Sequence, residues 1–311
     1  MKVAVLDDYQ AAAEALADWS GHQVRFFHDH LEGDALVAAI ADREALVVMR
    51  ERTPLPAALL ARLPALKLIV TSGMRNASID VAAAKARGIA VCGTTSSSAP
   101  PAELAWALIL GLARNVVAES TALATNGPWQ STVGADLDGR TLGLLGLGKI
   151  GSRMAKIGLA FGMRVVAWSA NLTRAQTDAV GVTLAESKDQ LLQAADFVSI
   201  HLVLGERTRS LIGAAELARM KPTAYLVNTS RAGIVDTAAL VAALRERRIA
   251  GAGVDVFDVE PLPPEDPIRS LPNLLATPHL GYVTRTNYTT YFRAISECIR
   301  AFAAGAPVRT L

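Results

Sequence analysis

The sequence is poor in cysteine: Cys92 and Cys298 are the only two in 311 residues. Neither belongs to a Cys-x-x-Cys pair or stands at metal-ligand spacing from a histidine. A disulfide framework and a zinc site are therefore excluded, no metal is expected, and a reducing, cytoplasmic location is the expectation. Charge of one sign is also lacking. The net charge is +2 with acids and bases interspersed, so neither nucleic acid nor a membrane surface is an expected partner. Aromatic residues make up 5%. No apolar run approaches the roughly 20 residues of a membrane span, and the apolar part of Met1–Asp8 is too short for a signal peptide. What is abundant is aliphatic: 51% of residues are hydrophobic and 19% charged, enough for two packed cores in a chain of this length.

Short β-branched runs alternate with alanine-rich helical patterns almost from end to end. Val3–Leu6, Val24–Phe27, Ala45–Met49, Leu68–Thr71 and Ile89–Cys92 read as strands of a first block. Leu142–Leu145, Val165–Trp168, Phe197–His201, Tyr225–Asn228, Ala252–Val256 and Leu274–Ala276 read as strands of a second. The pattern predicts an α/β protein of two Rossmann-like domains, each a doubly wound parallel sheet, with a cleft between them. One long helix, from about Pro101 to Ala124, is expected to lead from the first block into the second, with Pro100 and Pro101 in its first turn. A final helix, about Thr286–Ala304, is expected to return to the first domain. The boundaries drawn are 1–98 plus 286–311 for a flavodoxin-like, substrate-binding domain, and 99–285 for a nucleotide-binding domain.

The sharpest local signal is Gly146-Leu147-Gly148-Lys149-Ile150-Gly151, between an apolar strand and a helix ended by Gly162. This is the setting of a dinucleotide fingerprint. Gly146 permits the tight turn, Gly148 the approach of a pyrophosphate, and Gly151 the packing of helix on strand; the amides of the helix start face the phosphates. The end of the next strand bears on cofactor choice. An acid there would bond a ribose 2′-hydroxyl, but the position is Ser169, and Arg174 is near. NAD and NADP both remain open, with a slight lean to NADP. A Rossmann unit alone does not name a chemistry.

Three further segments each follow a strand of the second sheet, where ligands of such sheets bind. They are Asn228-Thr229-Ser230-Arg231-Ala232-Gly233, Asp255-Val256-Phe257-Asp258-Val259-Glu260-Pro261 and Thr277-Pro278-His279-Leu280-Gly281. Imidazole titrates near neutrality and suits His279 to proton transfer; Glu260 would hold the ring; Arg231 offers a planar fork of donors to a carboxylate.

In this ordered set the chain resembles the D-isomer-specific 2-hydroxyacid dehydrogenases, the family of phosphoglycerate dehydrogenase and glyoxylate/hydroxypyruvate reductase. The resemblance covers nearly the whole chain, including Val47–Thr53, Thr71–Asp80 and Met220-Lys221-Pro222. It implies hydride transfer between NAD(P)H and C2 of a small 2-oxo or 2-hydroxy acid, with His279, Glu260 and Arg231 catalytic. It implies cofactor contacts from Gly146, Gly148, Lys149, Ile150, Gly151, Ser169, Arg174, His201, Thr229 and Asp255, the last toward the nicotinamide. It implies substrate contacts from Arg50, Arg52, the amides of Ser72 and Gly73, and Tyr282; the alternative for either arginine is a solvated loop charge. It also implies a homodimer through the nucleotide domain, with the long helix and the Asn126–Gly139 loop, including Trp129, as candidate contacts.

The chain departs from the family pattern at Arg75, where a second glycine is common, at Ala232, Val203, and Tyr282, where a small residue is frequent. These leave the chemistry in place and the exact substrate open. The alternative class is a non-catalytic NAD(H)-sensing protein of the same fold, like the C-terminal-binding corepressors. Formate dehydrogenase pairs its histidine with glutamine, so Glu260 argues against it.

Overall fold

The computed structural model describes all residues, Met1–Leu311. The chain forms two compact units, one of Met1–Ser97 with Val283–Leu311, the other of Ser98–Tyr282.

The first unit is built on strands β1 (Lys2–Val5), β2 (Gln23–Phe26), β3 (Ala45–Val48), β4 (Leu68–Thr71) and β5 (Ala90–Gly93). All pair in parallel, in the order β2-β1-β3-β4-β5. That is the flavodoxin-like 2-1-3-4-5 order. Every residue of β3 and β4 is buried, so their side chains need cover on both faces, as parallel sheets do. The closing helix Arg285–Ala303 supplies part of it: Tyr288, Tyr291, Phe292, Ile295 and Ile299 recur at helical spacing and are all buried. The tail then lies antiparallel to β5, with Thr310 opposite Cys92.

The second unit holds β6 (Thr141–Leu145), β7 (Arg164–Trp168), β8 (Thr183–Leu184), β9 (Phe197–Ile200), β10 (Tyr225–Asn228), β11 (Gly251–Val254) and β12 (Leu274–Ala276). The sheet is wholly parallel, in the order β12-β11-β10-β9-β6-β7-β8. The winding reverses between β6 and β9, the switch point at which doubly wound sheets bind nucleotides. Strand alternation feeds two cores. Leu142, Leu144, Phe197 and Val227 pack on one face; Leu145, Val198, Ile200 and Leu226 pack on the other.

The single helix expected from Pro101 to Ala124 is two: Ala99–Ala113 and Val116–Ala124, with axes bent by 65°. Asn115 between them adopts a left-handed φ of 50°, which ends the first helix. The packing also stops there. The first helix buries Ala102, Ala105, Leu108, Ile109 and Leu112, whereas the second buries nothing. No single helix is long and apolar enough to cross a membrane. The two-residue edge strand β8 was not among the expected strands; at that length it carries no periodicity to read.

Candidate active site

Arg231, Glu260 and His279 follow β10, β11 and β12, which are neighbours in the sheet, so one end of the sheet carries all three segments. The His279 loop is held from below by Asp255. This wholly buried carboxylate accepts bonds from Thr277 Oγ1 (2.6 Å), the Leu280 amide (2.6 Å) and the Gly281 amide (2.8 Å). Desolvation pushes Asp255 above the usual carboxylate range, against the pull of these three bonds and of His279. Gly281 must be small, because a Cβ there would stand 3.1 Å from Asp255 Oδ2. His279 itself takes a left-handed φ of 53°, uncommon outside glycine and worth reading as a functional constraint.

That backbone aims the ring at Glu260. His279 Nδ1 lies 2.6 Å from Glu260 Oε2, and the other carboxylate oxygen accepts the Phe257 amide at 2.9 Å. Both partners are largely shielded, with side-chain exposures of 15% and 23%, so the pair is not a solvated surface bridge. The ring of Tyr282 stands against the imidazole, centroids 5.4 Å apart and planes at 77°. Arg231 is held at its backbone, where Asn228 Nδ2 donates to its carbonyl (3.0 Å), and its Nη1 donates to Ser230 O (2.7 Å). Its guanidinium thus starts from the rim of β10, partly exposed.

The glycine turn lies at the switch point. A Cβ on Gly146 would meet the His201 carbonyl oxygen at 2.5 Å, and one on Gly151 would meet the Gly146 carbonyl oxygen at 2.1 Å. Gly148 differs, since a Cβ there would meet nothing within 4 Å. The first two glycines are demanded by the protein's own packing; the third keeps open a space that a ligand backbone could fill. Helix Lys149–Ala160 begins there without a side-chain cap, so its first-turn amides have no side-chain acceptor. A nucleotide pyrophosphate fits both observations. Lys149 is exposed and Ile150 partly exposed on this turn, Thr229 is partly exposed after β10, and Ser169 is partly exposed after β7. Arg174 opens a short helix whose capping box is Thr173 with Gln176. His201 ends the strand beside the turn, but its Nε2 is taken by Ser199 Oγ at 2.9 Å. Desolvation lowers it to about 4, so it is neutral at neutral pH and unsuited to the proton-donor role. No group of His, Cys, Asp or Glu is placed to hold a metal ion.

In the first unit the substrate residues expected from the sequence separate. Ser72 and Gly73 cannot offer amides to a carboxylate, because Ser72 N donates to Val48 O (3.2 Å) and Gly73 N to Thr94 Oγ1 (2.8 Å). Strand pairing with β3 and the adjacent Thr94 consume them. The first amides of this turn without an acceptor are those of Met74 and Arg75, two residues further on. Arg52 is also turned inward: it is buried, donates to Asp7 O (2.8 Å) and stacks on Tyr9 at 4.5 Å. Arg50 is partly exposed and paired with Glu51 at 3.7 Å. Ser72 Oγ accepts its amide at 2.9 Å, and its Nη1 reaches Ser72 O at 3.3 Å across Gly73, where a Cβ would lie 2.3 Å from Nη1. Gly73 is thus a clearance for Arg50.

A switch-point glycine turn and a His–Glu pair on the rim of the same sheet describe a nucleotide-dependent oxidoreductase that moves a proton together with a hydride. Residues 106–281 match the NAD binding domain of D-isomer specific 2-hydroxyacid dehydrogenase. The chain is 40% identical over 284 residues to a glyoxylate reductase of Aeropyrum pernix, covering 88% of this chain and 81% of that one. It is 40% identical over 263 residues to a hydroxypyruvate reductase of Thermotoga maritima, covering 82% and 83%. A solved phosphoglycerate oxidoreductase from Vibrio cholerae O395 superposes with a TM-score of 0.94 at 39% identity, over 98% of this chain and all of that one. The chain belongs to the D-isomer-specific 2-hydroxyacid dehydrogenase family: it is an NAD-binding oxidoreductase acting on the CH–OH group of 2-hydroxy acids.

Proposed function

We propose that the protein reduces a small 2-oxo acid of the glyoxylate or hydroxypyruvate type, with His279 as proton donor, Glu260 as its partner and Arg231 as the anchor of the substrate carboxylate. The observation that carries this reading is the 2.6 Å contact between His279 Nδ1 and Glu260 Oε2. With Nδ1 engaged, Nε2 is the nitrogen left to protonate the carbonyl oxygen of a 2-oxo acid, or to take the proton from a 2-hydroxy acid in the reverse direction. The nicotinamide coenzyme, when bound, supplies or accepts the hydride at C2. Glu260 holds the ring through Nδ1, and Arg231 pairs bidentately with the carboxylate and polarises the carbonyl. Asp255, expected to orient the nicotinamide end, is wholly buried and holds the loop that presents His279. Within the first unit, Arg50 remains as a partly exposed donor. The glyoxylate and hydroxypyruvate reductases among its relatives support this substrate class.

NADP is favoured slightly over NAD as coenzyme. Ser169 leaves no carboxylate to repel a 2′-phosphate, and Arg174 is exposed beyond it. A homodimer through the second unit is the assembly proposed. Val116, Val117 and Leu123 on the bent helix, with Trp129 (78% exposed) and Val133 (99%) on the following arm, are exposed apolar side chains that support this reading. The arm is tied to the helix by Ser131 and Thr132 hydroxyls on Glu119. Absorbance at 340 nm, followed with NADH and with NADPH against glyoxylate, hydroxypyruvate, pyruvate and bulkier 2-oxo acids, tests substrate and coenzyme together. Turnover with none of them would sink the reading; light scattering on the eluted protein tests the dimer.

A further inference from the structure

The imidazole of His279 is held covalently at Cβ and by the bond from Nδ1 to Glu260. The φ of 53° and the His279 amide bonded to Thr277 O at 2.9 Å fix the root of the side chain. Small coupled changes in χ1 and χ2 still tilt the ring with Nδ1 near Glu260, and such a tilt displaces Nε2. One side chain stands beside the ring to oppose it. Tyr282, three residues on, is 7% exposed, and its ring meets the imidazole edge-on at 5.4 Å and 77°. The connecting turn is rigid, because the Leu280 and Gly281 amides both end on the Asp255 carboxylate. An aromatic ring on a fixed turn is therefore a wall beside the imidazole, and edge-to-face packing gives that wall a preferred angle.

We propose that Tyr282 is a positioning residue that stops the imidazole of His279 from tilting while Nδ1 is bonded to Glu260, and so holds Nε2 on the line of proton transfer. The proposal rests on the assignment of His279 as proton donor. It gives Tyr282 a role distinct from the substrate contact expected from the sequence: the ring acts through His279 and need not touch the oxo acid. It also accounts for a bulky residue where the family pattern commonly has a small one.

The test compares Tyr282→Leu and Tyr282→Met, which remove the ring, with Tyr282→Phe, which keeps it. With glyoxylate and hydroxypyruvate, kcat is expected to fall about tenfold or more in the first two, because small misplacements of a reacting group are costly, while KM stays within about twofold. The Phe variant is expected to retain kcat within about twofold. An independent reading comes from the apoprotein. The imidazole C–H proton resonances of His279, identified by their loss in His279→Ala, are expected to carry a ring-current shift that survives in Tyr282→Phe and vanishes in Tyr282→Leu and Tyr282→Met. NADH binding by each variant reports that the second unit is folded. A rise in KM at constant kcat, a Phe variant as impaired as Leu, or His279 resonances unmoved by loss of the ring would each overturn the proposal. Undiminished turnover in His279→Ala would instead remove the proton-donor assignment and leave the resonance result standing, so the two failures are distinguishable.

Discussion

His279 Nδ1 sits 2.6 Å from Glu260 Oε2, and this one contact joins the loops after two neighbouring strands, β12 and β11, into a single proton-handling unit. Because Glu260 also accepts the Phe257 amide, its carboxylate is fixed before the histidine arrives. If this unit performs general acid catalysis, His279→Ala should lower kcat by about 10²–10⁴-fold while leaving the Kd for NADH within about twofold. Glu260→Gln should lower it less, since the amide oxygen still accepts a hydrogen bond from Nδ1. Steady-state kinetics with fluorescence titration of NADH checks both; equal losses of turnover and coenzyme affinity would count against the assignment.

The glycine turn offers a test that separates folding from binding. At Gly151 a methyl group would run into the Gly146 carbonyl, so Gly151→Ala should destabilise the protein by about 2 kcal/mol or more in urea unfolding. At Gly148 the same methyl group enters open space. Gly148→Ala should therefore leave the unfolding midpoint nearly unchanged and weaken coenzyme binding about tenfold or more, because the methyl group occupies the path of the pyrophosphate. A Gly148→Ala variant that binds NADH normally would show that the phosphates do not lie there.

Asp255 holds the loop that carries His279. Replacing it by Ala strands the Leu280 and Gly281 amides and the Thr277 hydroxyl. The expected cost is about 3 kcal/mol of stability, accompanied by a fall in kcat as the His279 loop loses its support. Urea unfolding and kcat measured on the same preparation test the coupling. A variant that keeps its stability but loses kcat would place Asp255 in direct contact with the reacting groups instead.

His201 makes stability depend on pH. Its imidazole is lowered to about 4 in the folded chain from an ordinary value near 6.5. Between those limits the unfolded chain binds a proton that the folded chain refuses. Stability is therefore complete above about 6.5 and lost progressively as pH falls toward 4, by up to about 3 kcal/mol. His201→Asn, which has no proton to gain, should flatten this part of the stability profile; urea midpoints at half-unit steps would show an unchanged slope if the reading is wrong.

Much of this was legible in the sequence, and for local reasons. Strands β3, β4, β6, β9 and β10 are apolar runs of fixed period, so their existence and the α/β class follow from the residues themselves. The glycine turn is local in part: Gly151 is required by the Gly146 carbonyl five residues away, whereas Gly146 is required by the distant His201 carbonyl. Arg231, Glu260 and His279 stood out because each follows a strand and carries chemistry a packed core does not need.

What the sequence by itself determined, then, was most of the elements and the candidate groups; what the tertiary structure decided was which groups were still available. The amides of Ser72 and Gly73 look free in the chain and are consumed by Val48 and Thr94, 24 and 21 residues away. Arg52 looks like a surface charge and is folded onto Tyr9 and Asp7. The helix expected to run on to Ala124 breaks at Asn115, where the apolar face loses its sheet. Asp255 and Tyr282 acquire their places around His279 only when β11 and β12 pair. Hydrogen-bond saturation and packing are properties of neighbours in space, and periodicity along a chain does not encode who those neighbours will be.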